Sequence, residues 1–213
     1  MKRKTQKKFV VFVCTGNTCR SPMAEALFRK RAEALGLKKL KVCSAGTRAV
    51  VGDTINEKSQ AVLAEKGITV EKFSSQLVNG KLLVDSLAVV CMTDAQRDML
   101  MDMRWKALRE AGEDVIDNNV YSFSELVGYE VIDPYGKDID CYRYVYELIA
   151  DGVDTIMDKI VPLALRDKFI EKPRKPRVSK IEGAVKKKKT TSAGKTATKK
   201  NTKRKKPQKE KQL

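Results

Sequence analysis

The sequence contains no histidine in its 213 residues. This absence excludes an imidazole general base, a histidine-ligated zinc ion and a Ser-His-Asp triad. Any acid–base chemistry must therefore use carboxylates, thiols or lysines. The length suits one ordinary domain with its own core, with or without a tail, but not two large domains.

Long apolar runs are also missing. No stretch approaches the ~18 apolar residues of a membrane span, and the run Phe9 to Cys14 falls short of the ~7–15-residue apolar region of a signal peptide. The five cysteines are an odd number in a chain long enough to form a core, which argues against a secreted disulfide scaffold. We therefore expect a cytoplasmic protein without a membrane span.

Aromatic residues stop at Phe169, and positive charge accumulates beyond it. Residues 172–213 hold 18 Lys or Arg against 2 Asp or Glu, whereas residues 9–171 carry a net charge of −4 within a total of +17. The Lys-rich segment cannot bury enough apolar surface to offset its ordering entropy. The sequence therefore predicts a domain over residues 1–171 and a disordered, basic C-terminal tail over residues 172–213.

The role of this tail is left open by its composition. A solvated extension without a partner is one interpretation. Non-specific, salt-sensitive binding to nucleic acid is another, since so many cations would release counterions, but base recognition is not expected without aromatics for stacking. An acidic protein or membrane surface could attract the tail as well, although no amphipathic stripe or lipidation signal supports a membrane. No feature of the sequence predicts an oligomeric state.

The body of the chain alternates short apolar runs with helical patterns. Strands are expected at Phe9 to Val13, Val42 to Cys43, Ser86 to Met92 and Asn119 to Phe123. Four helices are expected, over residues 21–36, 59–66, 94–111 and from Asp140 toward Asp167. Ser21, which precedes Pro22, is the expected N-cap of the first helix, and Asp94 is the expected cap of the third. This alternation predicts an α/β fold, a doubly wound four-stranded parallel sheet with helices on both faces. Such sheets bind ligands at the carboxyl ends of their strands.

The segment Cys14-Thr15-Gly16-Asn17-Thr18-Cys19-Arg20-Ser21 joins the first strand to the first helix at that edge. A loop over a helix N-terminus presents backbone N–H groups and the positive end of the helix dipole, which bind an oxyanion. The same field favours the thiolate form of Cys14, and the planar fork of Arg20 can hold two phosphate oxygens. Since the Gly-Lys-Ser/Thr ending of a Walker A loop is absent, no Mg²⁺ site and no cofactor are expected.

A cysteine that attacks phosphorus forms a phosphocysteine, and the departing group must then be protonated. Asp133 is the best candidate acid, because it lies in the turn Asp133-Pro134-Tyr135-Gly136, which proline stiffens and which leaves the sheet toward the same edge. Tyr135 could form a wall of the pocket. Taken alone, Asp133 could be an ordinary turn aspartate, which is the less favoured interpretation, and Tyr135 could equally be simple loop packing.

The run FVCTGNTCRSPMAEALF with a downstream DPYG resembles the low-molecular-weight protein tyrosine phosphatase family, and within it most the bacterial protein-arginine phosphatases. The resemblance covers about residues 9 to 165. It implies that Cys14 is the nucleophile, Arg20 the phosphate clamp and Asp133 the general acid of a phosphatase acting on phosphorylated proteins. The rest of the implied phosphate site comprises Thr15, Gly16, Asn17, Thr18, Cys19 and Ser21, with Tyr135 beside the acid.

The same resemblance implies four further roles. Asn17 holds the loop in a left-handed conformation, which asparagine tolerates, Ser21 forms a hydrogen bond with the thiolate, and Ser44 steadies Asn17. Cys19 can form a reversible disulfide with Cys14 that protects the nucleophile from over-oxidation.

The resemblance also bears on the substrate. Arginine phosphatases of this family carry threonine where Thr18 stands, whereas tyrosine phosphatases usually carry a bulky aliphatic residue. A hydroxyl suits a slender guanidinium better than an aryl ring, so phosphoarginine is the expected substrate and phosphotyrosine the alternative. Tyr135 favours the alternative slightly, since it could stack on an aryl group.

Two less favoured functions remain. Arsenate reductases share the fold but need two further cysteines for a disulfide relay, and Cys91 stands alone after the third strand. A non-enzymatic scaffold with a nucleic-acid-binding tail has no physical reason to keep Cys14, Arg20 and Asp133 together.

Overall fold

The computed structural model describes residues 9–113 and 117–171. The predicted disordered tail, residues 172–213, lies outside the described residues, as do residues 1–8. As predicted, the described strands form one four-stranded parallel sheet, and their order is β2-β1-β3-β4. Their bounds are β1 Phe9–Cys14, β2 Lys41–Gly46, β3 Ala88–Cys91 and β4 Val120–Ser122.

Helices cover both faces of this sheet. They are α1 Arg20–Ala34, α2 Glu57–Glu65, α3 Gly80–Asp85, α4 Asp94–Glu110, α5 Phe123–Val127, α6 Ile139–Ile160 and α7 Leu163–Arg166. Successive residues of β1 point to opposite faces, so Val10 and Phe12 pack in the core under α1 and α6, while Val11 and Val13 pack in the core that Leu83 of α3 and Leu100 of α4 close. An apolar run buried on both sides is what a central parallel strand requires.

The strand order places a crevice at the end of β1. From β1 the chain crosses to β2 on one side, and the later strands β3 and β4 lie on the other, so the connections that follow β1 and β3 diverge. A ligand site is expected at such a switch point. The segment after β1 begins with Cys14, and Val131 N donates to Met92 O just beyond β3 at 3.0 Å, which brings the Asp133 turn to the same crevice.

Several helix boundaries differ from the predictions. Ser21 is not an N-cap: α1 begins at Arg20, and its N-cap, Cys19, makes no side-chain capping bond. Asp94 is the first residue of α4, whose cap is Thr93. The last helix does not continue to Asp167, because Pro162 has no N–H to extend α6, and the short helix α7 follows it. The short helix α3 was not predicted.

A search for membrane-spanning helices within residues 9–113 and 117–171 finds none of sufficient length and apolarity.

Candidate active site

The segment between β1 and α1, residues 14–21, is called the phosphate loop below. Its carbonyl groups face outward. Cys14 O accepts from Thr47 N, Thr15 O from Arg48 N and Thr18 O from Asn56 N, each at 2.9 Å. The segment that follows β2 thus anchors the phosphate loop through three of the carbonyl groups of the loop.

The backbone N–H groups of residues 15–19 differ from these carbonyl groups in their hydrogen bonding. Among the described residues, none of these five groups donates a hydrogen bond. Backbone N–H groups normally find acceptors, and successive free ones form a concavity that binds anions. Residues 15–19 directly precede the 15-residue helix α1, whose dipole adds positive potential at its N-terminus. The loop therefore has the geometry of an oxyanion site.

Asn17 maintains this loop conformation. Its φ of 57° lies in the left-handed region, and its side chain is fully buried. The amide oxygen accepts from Gln76 N at 2.9 Å, which orients the amide nitrogen toward two hydroxyls. That nitrogen donates to Ser44 Oγ at 2.9 Å and to Ser21 Oγ at 3.0 Å. The contacts match the arrangement that the resemblance implied for Asn17, Ser21 and Ser44.

Ser21 lies beside the thiol. Its Oγ is 3.0 Å from Cys14 Sγ and 3.3 Å from Ala45 O, and the residue is fully buried. These contacts explain why Ser21 does not cap α1: its hydroxyl is engaged by the loop and β2 instead. A hydroxyl at this distance can donate to a thiolate and stabilise it.

Arg20 connects the phosphate loop to the Asp133 turn. The residue is only 4% exposed. Its Nη1 donates to Val131 O at 3.2 Å, and its Nη2 lies 3.4 Å from Thr15 Oγ1 and 2.5 Å from Asp133 Oδ2. Thr15 is also held by Gln96 Nε2 at 3.1 Å. The guanidinium is thus held by contacts with the phosphate loop and with the segment that contains Asp133.

Residues 131–137, called the acid loop, are far more exposed. The side chain of Asp133 is 48% exposed, and Asp133 Oδ1 accepts from Tyr135 N at 3.2 Å. Tyr135 is 72% exposed, so its ring stands free beside the acid. Asp133 is therefore close enough to Arg20 to serve the same ligand while remaining accessible to water.

Thr18 and Cys19 form the far side of the loop. Thr18 is half-buried, and its Oγ1 is 3.7 Å from Cys19 Sγ. Cys19 Sγ in turn lies 3.5 Å from the hydroxyl of Tyr142 on α6, and burial together with this contact raises the pKa of Tyr142 above its usual value. All five cysteines are free thiols. The reversible disulfide between Cys14 and Cys19 stays a prediction.

Four residues of this site were missed by the sequence analysis. Gln76 and Gln96 reach the loop from distant parts of the chain, and no local motif signals them. Gly46 ends β2 where an added Cβ would lie 2.6 Å from Thr15 O and 2.9 Å from Asn17 N. Glu25 accepts from Ser44 Oγ at 2.7 Å. The Ser44-Ala45-Gly46 run was a signal for Gly46, because glycine after a strand often marks a close backbone approach.

Comparison with known proteins agrees with this geometry. The family model described as low molecular weight phosphotyrosine protein phosphatase matches residues 9–164. The protein-arginine-phosphatase of Geobacillus stearothermophilus is 33% identical over 152 residues, which cover 71% of this chain and 95% of that protein. The low molecular weight protein-tyrosine-phosphatase PtpB of Staphylococcus epidermidis is 32% identical over 152 residues, covering 70% of this chain and 97% of the relative.

A solved structure also resembles the chain over most of its length. It is a cysteine-to-serine mutant of the arginine phosphatase YwlE with a phosphorylated active-site serine. It superposes with a TM-score of 0.62 at 28% identity, covering 71% of this chain and 95% of its own.

Proposed function

The chain belongs to the low molecular weight phosphotyrosine protein phosphatase family, and on that premise we propose that it hydrolyses phosphoarginine in proteins through a phosphocysteine intermediate. The family membership makes it a phosphatase of the phosphoric monoester hydrolase class, with phosphorylated proteins as substrates. One observation carries the proposal of mechanism. The thiol of Cys14, five backbone N–H groups that donate to no described residue, and the Arg20 guanidinium all belong to one short loop, and Arg20 joins that loop to Asp133.

In the first step the phosphoryl group occupies this concavity. Its oxygens accept from the loop N–H groups and from Arg20, so the phosphate replaces Asp133 as the partner of Arg20. The mechanism requires Asp133 to enter this step as the carboxylic acid. Cys14 Sγ attacks phosphorus, an S–P bond forms, the P–N bond breaks, and Asp133 gives its proton to the leaving guanidino nitrogen.

In the second step water hydrolyses the phosphocysteine. Asp133, now a carboxylate, takes a proton from water as the water oxygen attacks phosphorus. The S–P bond breaks, orthophosphate leaves, and the sulfur returns to the thiolate that Ser21 stabilises. The exposure of Asp133 supports this role, because the same carboxyl must meet first the substrate and then water.

Thr18 and the relatives support phosphoarginine as the substrate. Thr18 lies half-buried in the loop, where its hydroxyl can bond a guanidinium N–H. A relative at 33% identity is named for arginine, and the solved mutant of an arginine phosphatase carries its phosphoryl group on an active-site serine, which supports a covalent route.

Phosphotyrosine remains the second candidate because of Tyr135. Its exposed ring beside Asp133 could stack on an aryl phosphate, and a relative at 32% identity is named for tyrosine. In that case the broken bond is P–O, and Asp133 protonates the phenolate oxygen.

Turnover of matched phosphoarginine and phosphotyrosine peptides tests the substrate. We expect kcat/KM to favour phosphoarginine by about tenfold or more, and Thr18→Ile to move the preference toward phosphotyrosine. A wild-type preference for phosphotyrosine would instead establish the second candidate. An unchanged preference in Thr18→Ile would remove Thr18 as its determinant.

The Cys14→Ser variant tests the nucleophile. We expect it to lose turnover and to trap one phosphoryl group on Ser at position 14 when incubated with substrate, as mass spectrometry of the tryptic peptide would detect. Arg20→Lys is the matched variant that keeps the thiol but loses the two-pronged clamp. Normal turnover by Cys14→Ser would refute the mechanism.

A cytoplasmic location and binding of nucleic acid by the Lys-rich segment also belong to the proposal. The segment lies outside the described residues, and its 18 cations are the support. Replacing Lys186, Lys187, Lys188 and Lys189 by Gln should weaken binding of duplex DNA and flatten its salt dependence. Turnover of a phosphopeptide should stay unchanged. If these substitutions leave the affinity for DNA unchanged, the tail is not the segment that binds DNA.

A further inference from the structure

The hydrogen bonds that begin at the thiol continue past Ser44. Ser44 Oγ donates to Glu25 Oε2 at 2.7 Å, and the other carboxylate oxygen of Glu25 pairs with Arg29 one turn later on α1. The Glu25 side chain is only 18% exposed. An unbroken series of contacts thus runs from Cys14 through Ser21, Asn17 and Ser44 to a carboxylate that the proposed mechanism does not use.

The donors and acceptors in this series have a fixed direction. Because the amide oxygen of Asn17 accepts from Gln76 N, both amide hydrogens point toward the serines. Each serine oxygen therefore accepts from Asn17 and must direct its single proton elsewhere. Ser44 directs its proton to Glu25, and Ser21 retains its own proton for Cys14 Sγ or Ala45 O.

We propose that Glu25 is a positioning residue that acts through Ser44 to keep the hydrogen-bond series oriented toward the Cys14 thiolate. An acceptor at Glu25 keeps a lone pair of Ser44 facing Asn17, so Asn17 stays in its left-handed conformation and Ser21 stays a donor to sulfur. Without that acceptor, the Ser44 proton has no partner on α1 and its hydroxyl is free to rotate. The inference rests on the proposed function only in taking Cys14 as the nucleophile.

Glu25 is also reachable from outside. It lies on the wall of a surface groove of about 650 Å³ whose lining includes Arg29, Cys43 and Gln76. Burial raises the pKa of Cys43 to about 11, with a further increase from the charge of Glu25 and an opposing effect from Arg29. The carboxylate therefore influences groups on β2 as an anion that Arg29 only partly offsets.

A double-mutant cycle between Glu25 and Ser44 tests the inference without any substrate. The readout is the rate at which iodoacetamide alkylates Cys14 at neutral pH, followed by mass spectrometry of the Cys14 peptide, with kcat on a phosphopeptide as a second readout. Glu25→Leu and Ser44→Ala should each slow both rates about fivefold, the value of one lost hydrogen bond. In the double variant the loss should be no larger than in Ser44→Ala alone.

Glu33→Leu is the matched control, since Glu33 is an exposed carboxylate on the same helix and the same groove. It should leave both rates unchanged, and Glu25→Gln, which keeps an acceptor oxygen, should recover part of the loss. Circular dichroism checks that each variant folds. If Glu25→Leu does not fold, the cycle of Glu25→Gln with Ser44→Ala gives the same comparison.

Three results would overturn the inference. The first is that the alkylation rate and kcat of Glu25→Leu equal those of Glu33→Leu. The second is that the losses of Glu25→Leu and Ser44→Ala multiply in the double variant. The third is that alkylation of Cys14 becomes faster in Glu25→Leu, as expected if Glu25 acts only through its negative charge. A wild-type protein that releases no phosphate would refute the proposed function instead, since the alkylation experiment needs no turnover.

Discussion

The phosphate loop buries most of its polar side chains, whereas the acid loop leaves its polar side chains exposed to solvent. In the phosphate loop, Cys14, Asn17 and Arg20 are 4% exposed or less. In the acid loop, the Asp133 side chain is 48% exposed and Tyr135 is 72% exposed. Groups that stabilise a fixed charge gain from burial and preorganisation, while a carboxyl that exchanges protons with substrate and water needs access.

The contacts of the two loops differ in the same way. The phosphate loop is bonded to β2, to Gln76 and to Gln96, which lie far apart in the chain. The acid loop is tied back mainly through Val131 N and through Arg20. Substitutions in the phosphate loop should therefore reduce activity and stability together, and those in the acid loop should reduce activity alone.

Asp133→Asn gives the largest expected effect in the acid loop. Loss of the general acid should lower kcat by about 10²–10⁴-fold. The unfolding free energy should change by less than about 1 kcal/mol, because the Asp133 side chain is half-exposed and Arg20 keeps its bond to Val131 O. Steady-state kinetics and urea unfolding measure the two quantities.

An aryl phosphate with a good leaving group sharpens this prediction, because its phenolate departs without a proton and the loss should then be much smaller. Asp140→Asn, an exposed carboxylate in the first turn of α6, is the control and should leave kcat unchanged. An Asp133→Asn variant that unfolds at clearly lower urea would break the contrast between the loops.

Gly46→Ala should affect both properties. The added Cβ would meet Thr15 O at 2.6 Å and Asn17 N at 2.9 Å, and both atoms are backbone, so the phosphate loop itself must move. We expect the unfolding free energy to fall by about 1–3 kcal/mol and kcat/KM to fall about 10²-fold. Urea unfolding and peptide kinetics on the folded protein measure these changes.

Gly152→Ala is the matched control, because its Cβ would lie 2.7 Å from ring atoms of Phe123, away from the site. It should lower stability while leaving kcat/KM of the folded protein intact. Equal losses of kcat/KM in Gly46→Ala and Gly152→Ala would mean that overpacking far from the site lowers activity as much as overpacking against the phosphate loop. The predicted difference between the loop and the rest of the fold would then be wrong.

The central features of this site could be predicted because each is encoded locally. An apolar run followed by a Cys-to-Arg loop and a Ser-Pro step indicates β1, the phosphate loop and α1, and the rule for parallel strands places the loop at the carboxyl edge. The Asp133 turn follows the same rule, and the structure brings it within 2.5 Å of Arg20. The parallel sheet was predicted correctly for the same reason.

Contacts between distant segments could not be predicted from local patterns. Ser21 has the ideal type for an N-cap, yet its hydroxyl bonds to Asn17 and lies beside the thiol, so tertiary contacts override capping preference. Gln76 and Glu25 carry no motif, and only the packing of their segments against β2 brings them to Ser44. Helix α3 was missed because six residues give too short a pattern.

Tyr135→Ala has a smaller expected effect because the ring is exposed and holds no part of the phosphate loop. It should leave stability unchanged and alter phosphoarginine turnover by less than about threefold. Phosphotyrosine turnover should fall about fivefold if the ring stacks on the aryl group. Kinetics on matched peptides measure the difference. Equal losses on both peptides would assign Tyr135 to the support of Asp133 instead of to substrate contact.

Tyr142→Phe gives the smallest expected effect and concerns a residue of α6 whose hydroxyl contacts Cys19 of the phosphate loop. Burial and the contact with Cys19 raise the pKa of Tyr142, and the negative charge of Asp133 adds to the increase. A raised pKa in the folded state means that stability is complete below the unfolded value near 10 and is lost as pH rises above it. Between pH 9 and 11 the wild type should therefore lose about 1 kcal/mol more unfolding free energy than Tyr142→Phe.

Tyr129→Phe serves as the control, since burial and Asp151 raise the pKa of Tyr129 to about 12 at a position whose hydroxyl bonds to α6 and not to the phosphate loop. In both variants, the unfolding free energy measured with urea should decrease less between pH 9 and 11 than it does in the wild type. Of the two variants, only Tyr142→Phe should also change the alkylation rate of Cys19, because the hydroxyl of Tyr142, and not that of Tyr129, contacts that thiol. If wild type and Tyr142→Phe lose stability in parallel above pH 10, the pKa of Tyr142 is not raised in the folded protein.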